Sequence, residues 1–153
     1  MKTVKLDMSV EQAKVICDAL DLYNRITLGQ FEELESIIRH RLICKASFDP
    51  NEEKIYPNFD EMDEIKEHIH AIKRIMGFHP HSSFGIGNDK VHISNSRSYE
   101  MLKTIQKVLA EDRNPNPDFR TVDYDGVIVR YTNDELPICS IINDEIEENN
   151  DGC

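Results

Sequence analysis

The sequence predicts an α+β fold, with three to four amphipathic helices packed on a small, mainly antiparallel sheet. Three observations carry this. Apolar residues recur at three/four spacing in several long stretches. Shorter segments alternate apolar and polar residues, or turn on Gly and Asp, as strands and hairpins do. The two kinds of segment do not alternate as βαβ units, which argues against a doubly wound parallel sheet. The 153 residues suit one domain. We place it at residues 1–142 and expect residues 143–153 to be an acidic, disordered tail.

The elements follow in order. Residues 3–8 alternate, with Val4, Leu6 and Met8 on one face, and predict a half-buried strand. Ser9 with Gln12 three residues on reads as a capping box. The helix it opens carries Ala13, Ile16, Cys17, Leu20 and Tyr23, and should end or kink at Leu28-Gly29. Phe31, Leu34, Ile38 and Leu42 continue a helical pattern, so residues 10–44 form one kinked helix or two. Residues 47–60 read as a loop. Asp60 then caps the cleanest amphipathic helix, with Met62, Ile65, Ile69, Ile72 and Met76 on one stripe and Gly77 as its stop. Residues 84–93 suggest a hairpin turning at Asn88-Asp89. Ser94 or Ser96 caps a further helix carrying Tyr99, Leu102, Ile105, Gln106 and Leu109. Residues 119–122 and 127–131 flank the turn Asp123-Tyr124-Asp125-Gly126 as a second hairpin. Leu136–Ile142 reads as an edge strand, because Pro137 lacks a donor.

Acids outnumber bases 29 to 18, a formal charge of -11. This excludes a general nucleic-acid or anionic-membrane binder, which needs a basic surface. Five of the acids fall in residues 144–153, so residues 1–143 hold 24 acids against 18 bases. That is an ordinary solubility charge and weakens any case for DNA mimicry. No apolar run approaches the ~18 residues of a membrane span, and the first ten residues lack an apolar export core. A cytoplasmic protein is the expectation. Cys17 and Cys139 read as buried free thiols and Cys153 as an exposed one. No cysteine pair has metal-ligand spacing.

Several groups are candidates for chemistry. His68, His70, His79 and His81 could suit a borderline metal, but His68 and His70 point to different helix faces, and no metal site is assigned. Gly85 and Gly87 are explained by a tight turn rather than a dinucleotide fingerprint, since Lys90 stands at the third glycine's place. The helix start at Ser94-Asn95-Ser96-Arg97 could hold an anion, although capping alone also explains the serines. Around the Gly29 break cluster Tyr23, Asn24, Arg25, Gln30 and Glu33, as a ligand wall, a subunit contact or helix packing. Asp123 and Asp125 are what a hairpin turn demands. Glu61, Glu64 and Glu67, with Asp60 and Asp63, could hold a divalent ion in a small nucleotide hydrolase, but read first as a solvated helix face.

Two stretches carry a resemblance. They are Leu20-Asp21-Leu22-Tyr23-Asn24-Arg25-Ile26 with Gly29-Gln30-Phe31-Glu32-Glu33, and Phe84-Gly85-Ile86 with Ser98-Tyr99-Glu100. In them the chain resembles small accessory proteins of tailed bacteriophages. The resemblance implies a protein acting in the cytoplasm of a bacterial host, on host machinery or host defence. It transfers no settled activity.

Together these readings favour a non-enzymatic protein that sequesters a nucleotide-like signalling ligand through Arg25, Gln30, Arg97 and Tyr99. No cofactor is implied. An inhibitor of a host enzyme, acting by protein contact or acidic mimicry, is the alternative, and the metal-dependent hydrolase is a third. The spare apolar surface of several amphipathic helices predicts a homo-oligomer.

Overall fold

The computed structural model describes residues 4–47 and 51–142. They form four helices: α1 (Val10–Thr27), α2 (Glu32–Arg39), α3 (Phe59–Ile75) and α4 (Ile93–Arg113). The expected α+β class is corrected. The chain is helical, and no strand or sheet forms among the described residues. The expected tail at 143–153, with Cys153, lies outside them.

The physical reason for the correction lies in hydrogen-bond partners. Alternation marks a pleated surface, but a strand also needs a neighbour for its backbone groups. Residues 4–9 stay out of regular structure with Val4 and Leu6 exposed. At the expected second hairpin, the amides of Tyr131 and Thr132 do not donate across a ladder. They donate to the Glu100 carboxylate at 2.8 and 2.9 Å. Tyr124 is buried, and its hydroxyl donates to the Asn114 carbonyl at the end of α4. At the expected first hairpin, the Phe84 amide donates to the Leu28 carbonyl at 2.8 Å. Ile138, in the expected edge strand, is fully exposed. The two expected hairpins are thus tied to helices and helix ends rather than to another strand.

The helices follow their local chemistry. Ser9 and Gln12 form the capping box of α1, as the spacing predicts. The open question at 28–29 resolves as two helices. Gly29 takes φ +87, and the amides of Gly29 and Gln30 return to the carbonyls of Ile26 and Arg25. This is the Schellman pattern, which needs a left-handed residue just past the helix. A side chain at Gly29 would meet the Phe78 ring at 2.6 Å, so the position requires glycine for space as well. Phe78 in turn packs edge-on against Phe31 and Phe84.

Two caps differ from expectation. Asn58, not Asp60, caps α3, in a capping box with Glu61. His92, not Ser94 or Ser96, caps α4: its Nδ1 accepts from the Ser94 amide. Both serines lie inside the first turn of α4.

The helices pack as pairs, α1 on α4 and α2 on α3, with α1 also touching α2. The end of α1 meets the start of α4, so this pair is antiparallel and its opposite dipole ends lie together. Its core is small: Ala13, Cys17, Leu102 and Ala110. Burial first, then the nearby negative charges of Asp18, Cys139 and Asp123, push the Cys17 thiol up to about 11. It is an inert core member. Cys139 is half-buried and Cys44 exposed. In the second pair, Met62 and Ile69 are buried as the stripe predicts, but Ile72 and Met76 are exposed. Lys73 is buried instead, its Nζ donating to Glu32 at 2.6 Å.

Candidate functional site

The sequence singled out Arg25, Gln30, Arg97 and Tyr99. Arg25 projects from the last turn of α1. Its Nε donates to Asp21 at 2.6 Å and its Nη1 to Glu33 at 3.0 Å. The hydrogen bond to Asp21 leads the causes that hold this guanidinium above its ordinary pKa. Gln30 donates to the Ser83 hydroxyl at 3.5 Å. Arg97, in the first turn of α4, donates to Asp134 at 2.6 Å, and this bond raises its pKa in the same way. Tyr99 is half-buried, edge-on to Tyr131 with 5.9 Å between centroids. Burial, then Tyr131, pushes its hydroxyl up.

The fold does bring the end of α1 to the start of α4, but through other residues. Tyr23 meets Ser94, and Asn24 and Thr27 meet Asn95. Arg25 and Gln30 turn toward α2 and Ser83, while Arg97 and Tyr99 turn toward residues 131–134. Both arginines are therefore already neutralised by carboxylates, and an incoming anion would have to displace these.

The Ser94 hydroxyl lies 2.5 Å from the Tyr23 hydroxyl and 2.8 Å from His92 Nδ1. Serine beside imidazole is the beginning of a nucleophilic arrangement. Here the same Nδ1 also accepts the Ser94 amide, and no carboxylate orients His92 among the described residues. The arrangement serves the helix end. Elsewhere, His68 lies 3.7 Å from Glu64, and the rings of His79 and His81 are 6.0 Å apart. No group of three metal-ligating side chains forms among the described residues.

A different place offers cations that no carboxylate neutralises among the described residues. A cavity of about 540 Å³ opens between the end of α2 and the start of α3. Arg39, Arg41 and Lys54 line it, with Tyr56, Phe59, Met62 and Asp63. Arg39 pairs with Glu35 along α2. Among the described residues, neither Arg41 nor Lys54 has a carboxylate within ion-pair distance. Glu61, nearby, is taken up by Lys45 at 2.5 Å and by the Asn58 amide. Those two hydrogen bonds, Lys45 first, hold its carboxyl below the usual range. The cavity wall thus carries a positive excess, with Asp63 as its acid.

No family model, curated protein or solved structure matches this chain.

The sequence reading missed Arg39, Arg41, Lys54 and Tyr56. They come from the end of one helix and a loop read as structureless, so no periodicity joins them. One signal was present. The helical pattern of residues 31–42 has no glycine at its end, where Gly29 and Gly77 mark the ends of α1 and α3.

Proposed function

We propose that this chain is a binding protein for a small phosphate-bearing ligand, held in the cavity between α2 and α3. The observation that carries the reading is the pairing of a cavity with two cations, Arg41 and Lys54, that no carboxylate neutralises among the described residues. The cavity volume falls in the range usual for small-ligand sites, roughly 300–1,000 Å³. The net acidity of the chain disfavours long nucleic acid, so a compact anion fits better than a polymer. Among the described residues no helix is long and apolar enough to cross a membrane.

Thermal-shift and calorimetric titration test this with inorganic phosphate, ribose 5-phosphate, a cyclic dinucleotide and ADP-ribose. We expect at least one to raise the melting temperature and to lose affinity as salt rises. The double variant Arg41→Gln/Lys54→Gln should abolish the effect. The reading is wrong if none binds at saturating concentration, or if the double variant binds as tightly as the native chain.

The apolar end of α3 favours a second reading, self-association. Ile75 is 84% exposed and Met76 62%, beside exposed Ile72. Light scattering of the purified chain tests it. A monomer at all concentrations, unchanged by Ile75→Glu, rules it out.

A further inference from the structure

Three helices in this chain end in the same Schellman hydrogen-bond pattern, but their left-handed residues differ. After α1 and α3 the residue is Gly29, φ +87, and Gly77, φ +81. After α2 it is Arg41, φ 60, with the amides of Arg41 and Leu42 returning to the carbonyls of Ile38 and Ile37. It is the one non-glycine residue with positive φ among the described residues. A side chain there is strained, because Cβ crowds the following carbonyl. A strained residue that persists directs attention to what its side chain does.

The Arg41 side chain lies over the Tyr56 ring, 5.2 Å from its centroid, and both line the cavity. Pro57 restricts the backbone that presents Tyr56. Part of the cavity wall is thus a guanidinium over an aromatic ring. Lys54, the other lining cation without a carboxylate partner among the described residues, supplies charge without such a stack.

We infer that the ligand is a nucleoside phosphate, its base received by Tyr56 and Arg41 and its phosphate by Lys54. The inference rests on the anion-binding reading above and names the ligand class of that site. Tyrosine rings and guanidinium planes both stack on any nucleobase, since every base has a π-face. Base stacking of this kind strengthens binding about five- to hundredfold. Arginine is required over lysine, because an ammonium has no plane to stack.

Calorimetric titration of the full chain with adenosine 5′-monophosphate, ribose 5-phosphate and adenosine tests it. The expected order is monophosphate tightest and ribose 5-phosphate at least fivefold weaker, with adenosine weaker than the monophosphate as well. Tyr56→Leu should equalise the two phosphates and leave ribose 5-phosphate unchanged. Arg41→Lys, which keeps the charge, should narrow the gap and serves if Tyr56→Leu fails to fold. Equal binding of the two phosphates by the native chain overturns the base inference and leaves the anion reading standing. Adenosine binding as tightly as its monophosphate overturns the anion reading, and so does binding of neither phosphate.

Discussion

The side-chain amide of Asn95 is fully buried, and its Nδ2 donates to Asn24 Oδ1 at 3.2 Å across the α1–α4 interface. The same nitrogen reaches the Asn24 carbonyl at 3.1 Å and the Thr27 hydroxyl at 2.7 Å. Ser98 donates to Asn24 Oδ1 from the next turn of α4. Few apolar side chains are buried here, so this polar junction sets how the end of α1 meets the start of α4.

Asn95→Ala should therefore destabilise the chain by about 2 kcal/mol, through lost donors in a buried site. Urea unfolding followed by circular dichroism measures this. A change within about 0.5 kcal/mol, the usual range for a surface substitution, would show that the junction contributes nothing.

This junction also shows what could be read in advance. The helical periods of α1, α3 and α4 and the capping box at Ser9 were legible, because they depend on neighbours within one turn. Asn24 and Asn95 are 71 positions apart, and nothing local marks either as buried. The strand expectation failed for a related reason. Residues 127–131 are β-branched and aromatic but for Arg130, yet that composition is silent on whether the partner is another strand or the Glu100 carboxylate. Of the four expected ligand residues, local sequence placed Arg25 and Arg97 near helix ends. Their partners Glu33 and Asp134 depend on tertiary packing. Lys73 falls in the last turn of α3, and a stripe of apolar residues gives no sign that it is buried.

Lys73 gives the second prediction. Its side chain is 2% exposed and paired with half-exposed Glu32. Burial alone would raise the Glu32 carboxyl, but the hydrogen bond from Lys73 outweighs it and the net shift is downward. Removing one partner of a buried pair costs more than replacing the charge with an apolar group. Glu32→Ala should lose about 2 kcal/mol, while Lys73→Met should stay within about 1 kcal/mol of the native chain or exceed it. Denaturant midpoints of the two variants decide the matter. The reverse order would mean that the pair itself stabilises the fold.

Glu100 gives a pH prediction. Its carboxylate is buried and accepts from the Tyr131 and Thr132 amides, and from the Thr132 hydroxyl at 2.6 Å. Burial pushes its pKa up, yet these hydrogen bonds, with the charge of Arg130, bring it below the ordinary 4.5. A depressed folded-state pKa adds stability that is fully present above the unfolded value and lost as pH falls through the folded one. Glu100→Gln should thus cost about 2 kcal/mol at pH 7, since hydrogen bonds to a charged group are replaced by weaker ones. That gap should shrink as the pH falls below 4.5. Urea midpoints of both proteins from pH 7 to pH 3 test this. A gap that stays constant to pH 3 would remove the carboxylate's charge from the explanation.

The three Schellman ends give the last prediction, because one motif appears with three different side-chain environments. At Gly77 an added Cβ meets nothing within 4 Å, so Gly77→Ala should cost only the left-handed penalty, about 1 kcal/mol. At Gly29 the same Cβ meets the Phe78 ring at 2.6 Å, which adds overpacking to that penalty. Gly29→Ala should cost about 3 kcal/mol. Arg41→Gly runs the other way and relieves the strain, for a gain of up to about 1 kcal/mol less the lost contact with Tyr56. Melting temperatures should then rank Arg41→Gly at or above the native chain, followed by Gly77→Ala and Gly29→Ala. If Arg41 is kept for its side chain, Arg41→Gly must also lose phosphate-ligand affinity while keeping stability. A stable Arg41→Gly variant that binds as the native chain does would show that the strained arginine serves no ligand.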